Sequence, residues 1–457
     1  MASLANVNSR QFVGIYCAGM FITSAISVGP FLRHPEWFPA NYSTSLLIMS
    51  WLGASLVLAL SLYAVSTFVQ RPAPWRWTAV SIPAALFIVA VLRANGFPGL
   101  SRINEYGDSD SLRILLDDTR VDFSRWLLGY RLLSEILGFF NLITDGVDID
   151  SFVRISSACA MLGSAAWFVR KLEGSVVPWL LIVSPIWILF SLGYDEYYPF
   201  VAGIVAAASW QIVSGRNLFQ LKTAYILAGL LPILYIGAVP LSIALILHAW
   251  NQESGWSGRS RGAGVTLVSA ILAIEIGGEF KGYVRGLSTQ LNLGGQYLEK
   301  SVNSKASAAS SRSFLADPSY ALSVEHAVDI FFWLSCGVGL VVIVAALALC
   351  RGTQGKKRFL QIQKASGHQV IRHLPVLVLV GLAIFYLVFM LPLLGPTRDI
   401  DLYFTSMFVL LLFAGSCFDR FAQTSENPSL ERLRFMQLAA FGFAPATVAL
   451  VVFGVSR

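Results

Sequence analysis

The chain has 457 residues, of which 56% are hydrophobic and only 13% are charged. A soluble globular chain is about 25% charged. The composition therefore excludes an ordinary soluble enzyme and a disordered protein, and it indicates a helical membrane protein. The five cysteines all lie in or beside apolar runs, and their spacing favours neither disulfides nor a zinc site.

Continuous apolar runs predict an all-α polytopic membrane protein with about 13 transmembrane helices, within a range of 11 to 14. The pair 219–233 and 236–250 is short, and it leaves open two spans, one broken helix or a re-entrant pair. The predicted runs are 11–29, 45–69, 78–94, 151–169, 175–192, 197–214, 219–233, 236–250, 263–278, 327–350, 373–394, 401–418 and 435–455.

Lysine and arginine residues predict the orientation, because they favour cytoplasmic connectors. With a cytoplasmic N-terminus, every predicted inside connector is basic, and the outer segments are acidic or mixed. The resulting organisation comprises two N-terminal spans (1–77), a transmembrane module (78–278) with a large outer loop (95–150), a flexible outer loop (279–326), and C-terminal spans (327–457) with an outer turn (395–400).

The outer loop 95–150 holds ten acidic residues and five arginines, so it is net −5 in a chain that is net +7. Near its start, Asp108 and Asp110 are candidates for a general base or for oxygen ligands of a divalent cation. A helix N-cap explains the same Asp-Ser-Asp sequence. The apolar spacing from Leu112 to Leu142 predicts one or two amphipathic helices in the membrane interface, or a globular patch on the outer surface.

Two short outer turns carry further polar candidates. Asp195 and Glu196 adjoin Tyr197 in a tight turn, where the acids are suited to hold a catalytic water, a metal or a sugar hydroxyl. Tyrosines at this position also suit interfacial anchoring. In the turn 395–400, Arg398 is a candidate phosphate ligand, with a local salt bridge to Asp399 or Asp401 as the alternative.

Other charged residues lie near the predicted outer ends of spans. Glu279 and Lys281 adjoin the end of the span 263–278 and are candidates for substrate binding. Arg93 and Arg154 are suited to pair with outer acids or to bind phosphate. His326 at the next span is more typical of a structural histidine. The sequence has no phosphate-binding GxxxxGK[ST] motif, which argues against an ATP-driven pump.

The arrangement resembles the GT-C superfamily of integral-membrane glycosyltransferases, in particular its bacterial members. The residues that carry the resemblance are the motifs 107–110, 194–199 and 395–401. In many members the acidic loop follows the first span directly, whereas in this chain two extra spans precede it, so the loop follows the third predicted span.

The resemblance implies a hexosyl- or pentosyltransferase in the bacterial inner membrane, with its site facing the periplasm or exterior. The donor would be a polyprenyl-phosphate-linked sugar and the acceptor a glycan, lipid or protein, with no nucleic acid partner. No cofactor is implied with certainty, and Mg or Mn at Asp108 and Asp110 is an open expectation. Asp108 would be the base, supported by Asp110; Asp195, Glu196 and Tyr197 would orient the acceptor or a metal.

The remaining implied roles concern the phosphate side of the donor. Arg398 would hold the phosphate beside Asp399, with Glu279 and Lys281 as further substrate-binding residues.

The competing interpretations are a transporter or flippase of a lipid-linked or polar solute, and a polysaccharide polymerase or ligase. Few charges lie within the predicted spans and no internal repeat is visible. Acidic residues concentrated on one face therefore favour an enzyme.

Overall fold

The computed structural model describes residues 18, 20, 22–24, 44–69, 75–96, 127–143, 148–194, 197–277, 323–339, 367–389, 403–423 and 425–454. Every regular element within these ranges is a helix, which confirms the predicted all-α class for this part of the chain. The α-helices are α1 (Thr44–Val69), α2 (Ser81–Ala94), α3 (Leu127–Ile143), α4 (Ile149–Lys171), α5 (Val177–Val183), α6 (Pro185–Ser191), α7 (Tyr198–Ser214), α8 (Leu221–Leu234), α9 (Val239–Gln252), α10 (Trp256–Gly277), α11 (Val324–Gly337), α12 (Gly367–Phe389), α13 (Phe404–Ala422) and α14 (Pro428–Gly454). Short 3₁₀ helices cover Trp75–Val80 and Ile236–Ala238.

Within the described ranges, six helical segments are long and apolar enough to cross a membrane, and they fit a membrane protein. Three shorter apolar helices, at Tyr198–Ser214, Leu221–Leu234 and His373–Phe389, accompany them. The predicted count of thirteen and the predicted orientation stay predictions. The six segments are Ile48–Val69, Trp77–Ala94, Ile149–Lys171, Trp256–Gly277, Phe404–Ala422 and Pro428–Val451.

The bundle has a buried centre and an apolar periphery. In α14, 89% of the most apolar stretch is buried, whereas only 17% of the corresponding stretch of α10 is buried. The peripheral helices expose large apolar side chains, such as Met49 and Val57 on α1 and Leu267 and Ile276 on α10. Exposed side chains of this kind on long helices suit contact with lipid acyl chains.

The run 175–192 forms two helices, α5 and α6, where the sequence predicts one span. The break lies at Ser184, which has extended backbone angles (φ −67°, ψ 140°). Pro185 explains the break, because proline lacks an N–H and disfavours helical geometry in the preceding residue. Every residue of both helices is buried, so the break lies in the centre of the bundle.

The uncertain run 219–250 forms two separate helices, α8 and α9, joined by the Ile236–Ala238 turn and packed on one another. One continuous helix is therefore excluded. Each has 14 residues, which at 1.5 Å per residue is about 21 Å and shorter than a hydrocarbon core of about 30 Å. Helix α8 also packs closely on α10, where the Thr266 hydroxyl donates to the Tyr225 carbonyl at 3.1 Å.

Helix α3 lies within the segment predicted to form interface helices. Its Leu133 and Leu137 side chains are buried against neighbouring helices, and α3 packs on α8 and α10. Leu132, Ile136 and Phe139 form a second apolar face that is exposed. Two apolar faces on one helix agree with a position beside lipid, while its placement in the interface plane stays a prediction.

Helix ends that the sequence predicts on the same side lie together in the structure. At one end, the Ser151 hydroxyl donates to the Ala94 carbonyl at 2.9 Å. At the opposite end, the Gln252 amide donates to Asn217 at 2.9 Å, and Ser175 donates to Asp419. The helices thus alternate in direction. We call the end that contains Ala94 and the 193–198 turn the turn end, and the end that contains Gln252 and Asp419 the cavity end.

Candidate functional site

Of the nine predicted site residues, only Tyr197 lies within the described residues. The structure therefore characterises the frame around the Asp195-Glu196 motif, while the other predicted positions stay predictions. The eight that lie outside the described residues are Asp108, Asp110, Asp195, Glu196, Glu279, Lys281, Arg398 and Asp399.

The frame of the motif is a tight turn between α6 and α7. Gly193 follows α6 with φ of +80°, a left-handed geometry that glycine adopts without steric strain. A Cβ on Gly193 would lie 3.1 Å from the Arg154 carbonyl oxygen and 3.2 Å from the Ala90 Cβ. Tyr194 and Tyr198, on either side of the acidic pair, are buried. The described residues on both flanks of the acidic pair are thus packed into the bundle.

Arg93, in the last turn of α2, binds the backbone of this turn. Its side chain is 1% exposed, and its Nη1 donates to the Gly193 carbonyl at 2.5 Å and to the Leu192 carbonyl at 3.4 Å. A cation suits this position, because the carbonyls that end a helix carry partial negative charge. The backbone contact adds to the roles expected for Arg93, and its pairing with outer acids or with phosphate stays a prediction.

Helix α4 holds the same turn from a second direction. The Ser157 hydroxyl donates to the Tyr194 carbonyl at 3.0 Å, and both groups are buried. The Ser151 hydroxyl is shared between the Ala94 carbonyl and the Asp148 carboxylate, which caps the start of α4. Two side chains from two helices, Arg93 of α2 and Ser157 of α4, therefore bind the backbone of residues 192–194, directly before the acidic pair.

Tyr197 itself is almost fully buried, at 4% exposure. Its ring stacks on Phe200 with centroids 6.4 Å apart, one turn into α7. A tyrosine anchored in this way fixes the second flank of the acidic pair. Its predicted contact with substrate stays a prediction.

A cluster of aromatic rings continues from the turn across the bundle. The Tyr198 ring lies 5.4 Å from Tyr235, which in turn lies 5.0 Å from Phe404. Next to Phe404 in sequence, Tyr403 stacks on Trp333 with centroids 4.0 Å apart. Edge and offset ring contacts of this kind add to the burial of large apolar area. They connect α7, α11 and α13 into one rigid layer at the turn end.

His326 and Asp329, at the start of α11, border this aromatic layer and are both buried. The His326 Nε2 lies 2.5 Å from the Val388 carbonyl near the end of α12. This backbone contact agrees with the structural role that the sequence indicated. Among the described residues, no group of three or more His, Cys, Asp or Glu side chains is arranged to hold a metal ion.

The cavity end is organised around a buried carboxylate. Asp419, near the end of α13, accepts hydrogen bonds from the Ser175 hydroxyl and, at 3.2 Å, from the Val176 backbone N–H. The Arg432 Nε lies 3.5 Å from the same carboxylate. Asp419 thus ties the start of α5 to α13 and α14.

Sequence reasoning missed both the Arg93 contact and the Asp419 cluster. The sequence carries a signal for each, because a single charge at the end of a long apolar run needs a partner. Their partners lie 100 and 244 positions away along the chain, and hydrophobic periodicity does not identify contacts at that separation.

No family model matches this chain, and no curated protein or solved structure matches it either.

Proposed function

We propose that the protein is a membrane glycosyltransferase that moves a sugar from a lipid-phosphate-linked donor to an acceptor at its turn end. The observation that carries the proposal is the anchoring of the turn around Asp195 and Glu196. Arg93 and Ser157 bind its carbonyls, and Tyr194 and Tyr197 are buried beside it. Catalysis needs carboxylates held in fixed positions by a rigid supporting layer, and anchored residues on both sides of the acidic pair support this proposal.

In the proposed reaction, the Asp108 carboxylate accepts the proton of the acceptor hydroxyl, with Asp110 in support. The hydroxyl oxygen forms a bond to the anomeric carbon of the donor sugar. The bond from that carbon to the phosphate oxygen breaks, and the polyprenyl phosphate leaves with the electron pair. Asp195 and Glu196 orient the acceptor, and Arg398 stabilises the leaving phosphate.

The test is a transfer assay on the purified full chain with a set of radiolabelled polyprenyl-phosphate sugars. Asp108→Asn should lower transfer by about 100-fold or more, the usual contribution of an acid–base group. Glu196→Gln should also lower transfer, because the acceptor loses an orienting group. Asp148→Asn is the matched control, because asparagine also caps helices well and Asp148 lies outside the motifs. Assays with and without Mg²⁺ or Mn²⁺ test the expected cation.

Full transfer activity in both Asp108→Asn and Asp110→Asn would refute the proposed base. Absence of transfer from every polyprenyl-phosphate sugar to glycan, lipid and protein acceptors would refute the function as a whole.

One observation favours the second candidate, a transporter or flippase. The break between α5 and α6 lies in the buried centre of the bundle, and discontinuous helices often form transporter sites. Fourteen buried residues flank this break, and all but Ser191 are apolar, so the break offers few groups that would bind a polar solute. Solute flux in proteoliposomes without sugar transfer would favour the transporter, whereas transfer without flux favours the enzyme.

A further inference from the structure

A cavity of about 600 Å³ lies at the cavity end, between helices α7, α9, α10, α12 and α13. Its volume is within the range of about 300–1,000 Å³ that is typical of small-molecule sites. It is separated from the turn that carries Asp195 and Glu196 by the length of α7. The described residues that line it are Ile212, Val213, Ser214, Gly215, His248, Asn251, Gln252, Arg259, His373, Pro375, Val376 and Arg420.

The charged side chains of this lining all have the same sign. Arg259 and Arg420 line it together with His248 and His373, and its described part contains no aspartate or glutamate. The sequence from 351 to 372, which leads into the lining segment of α12, has six lysines and arginines and no acidic residue. The described lining therefore carries positive charge around an open volume, and the sequence that precedes its α12 segment is basic.

Two acidic residues at this end of the bundle, Asp419 and Glu253, lie outside the described lining. Asp419 binds Ser175, Val176 and Arg432. The Glu253 carboxylate lies over Gly258 at the start of α10, outside the lining. Neither acid enters the cavity to neutralise its cations.

The cations themselves keep donors available. Within the part of the chain that the structure describes, the Arg259 side chain forms no hydrogen bond or ion pair. Arg420 reaches the Val213 and Ser214 carbonyls only at 3.4 and 3.3 Å, longer than the usual 2.9–3.0 Å. A guanidinium has five N–H donors in a planar fork, so most donors of both arginines are left for a ligand.

We propose that this cavity binds a phosphate-bearing anion, held between Arg259 of α10 and Arg420 of α13. Two guanidinium groups on different helices suit the several oxygens of a phosphate, which arginine binds in a bidentate manner. Gln252 is fixed at the rim by its contacts with Asn217 and His248 and adds a neutral polar group. The site goes beyond the proposed glycosyltransferase and does not depend on it.

The phosphate has two chemical sources at this end, an anionic lipid headgroup or a soluble phosphate compound. Basic pockets between transmembrane helices on the cytoplasmic side commonly bind anionic headgroups, and the sequence predicts this end to be cytoplasmic. Both sources present the same phosphate group to the arginines. Separate binding assays with a soluble phosphate compound and with an anionic lipid are therefore needed to distinguish them.

The experiment compares Arg259→Glu with Arg261→Glu in the purified full chain. Both arginines are exposed on the first turns of α10, but Arg261 contacts Ser257 and does not line the cavity. The soluble arm titrates pyrophosphate by calorimetry in neutral detergent. The lipid arm reconstitutes the protein in mixed phosphatidylcholine–phosphatidylglycerol bilayers and counts retained phosphatidylglycerol by native mass spectrometry.

We expect Arg259→Glu to weaken binding in one arm by about tenfold or more, since each hydrogen bond to a charged group contributes about 1.5–3 kcal/mol. Arg261→Glu should retain binding within about twofold, and Arg420→Gln, from a different helix, should repeat the loss. If these variants lose only pyrophosphate binding, the ligand of the cavity is a soluble phosphate compound. If they lose only phosphatidylglycerol, the ligand is a lipid. No binding in either arm, or equal losses in Arg259→Glu and Arg261→Glu, would overturn the proposal.

Discussion

At each end of the bundle an arginine contacts the backbone carbonyls that end a helix, but one arginine is buried and the other is exposed. At the turn end, Arg93 binds the carbonyls that end α6; at the cavity end, Arg420 approaches the carbonyls that end α7. Arg93 is 1% exposed and its shorter contact is 2.5 Å, whereas Arg420 is exposed and its contacts are 3.3 Å or longer. Burial makes the contact a fixed part of the fold, and exposure leaves the cation available for a ligand.

The largest expected effect comes from replacing each arginine with methionine, which keeps the apolar stem. Arg93→Met should lower the free energy of unfolding by about 3 kcal/mol or more, because buried carbonyls lose a charged donor. Arg420→Met should change it by less than about 1 kcal/mol, as is usual at exposed positions. Denaturant titration in mixed micelles measures both. Equal stability of the two variants would contradict the distinction between the ends.

A second comparison uses two glycines with left-handed backbone angles. Gly193 at the turn end has φ of +80° and close neighbours, whereas Gly174 at the cavity end has φ of +72° and open space around it. Gly174→Ala should destabilise by about 1–2 kcal/mol from backbone strain alone. Gly193→Ala should destabilise by about 3 kcal/mol, because overpacking adds to that strain. Similar losses in unfolding titrations would show that the turn end is not tightly packed.

A smaller effect is expected at the buried carboxylate of the cavity end. Asp419→Asn should lower the free energy of unfolding by about 2 kcal/mol, because it weakens charge-assisted contacts with Ser175 and Arg432. The exposed neighbour Glu173 provides the control, and Glu173→Gln should change stability by less than about 0.5 kcal/mol. If the two variants unfolded alike, Asp419 would not connect α5 to α13.

The smallest expected effect is that of a single neutral hydrogen bond. Ser157→Ala removes the donor to the Tyr194 carbonyl and should destabilise by about 1 kcal/mol. Ser61→Ala, at an exposed position on α1, should have almost no effect in the same titration. In the transfer assay, Ser157→Ala should also lower activity, since the turn loses one of its anchors. An unchanged transfer rate would show that the Ser157 contact with the turn does not contribute to the proposed catalysis.

The sequence predicts most of the helices but few of the contacts that join them. The predicted apolar runs match the bounds of α1 and α4 within two residues, and they match the end but not the start of α10. This agreement is expected because burial in lipid or core requires long apolar helices. The break at Ser184 was missed, although Pro185 is its visible cause. The role of Arg93 was missed because its carbonyl partner lies 100 positions away. The acidic motifs were found by residue type alone, and only the flank at Tyr197 falls within the described structure.

Helices α1 and α14 are in contact although they lie at opposite ends of the described sequence, so their packing requires synthesis of nearly the whole of it. The Trp51 indole donates to the Pro445 carbonyl across 394 positions, and α14, 89% buried in its apolar stretch, packs on α1, α5, α6 and α13. Helices that are synthesised earlier therefore lack their contacts with α14 until the ribosome has translated the 428–454 segment. We expect the nascent chain to remain sensitive to protease and chaperones until that segment emerges.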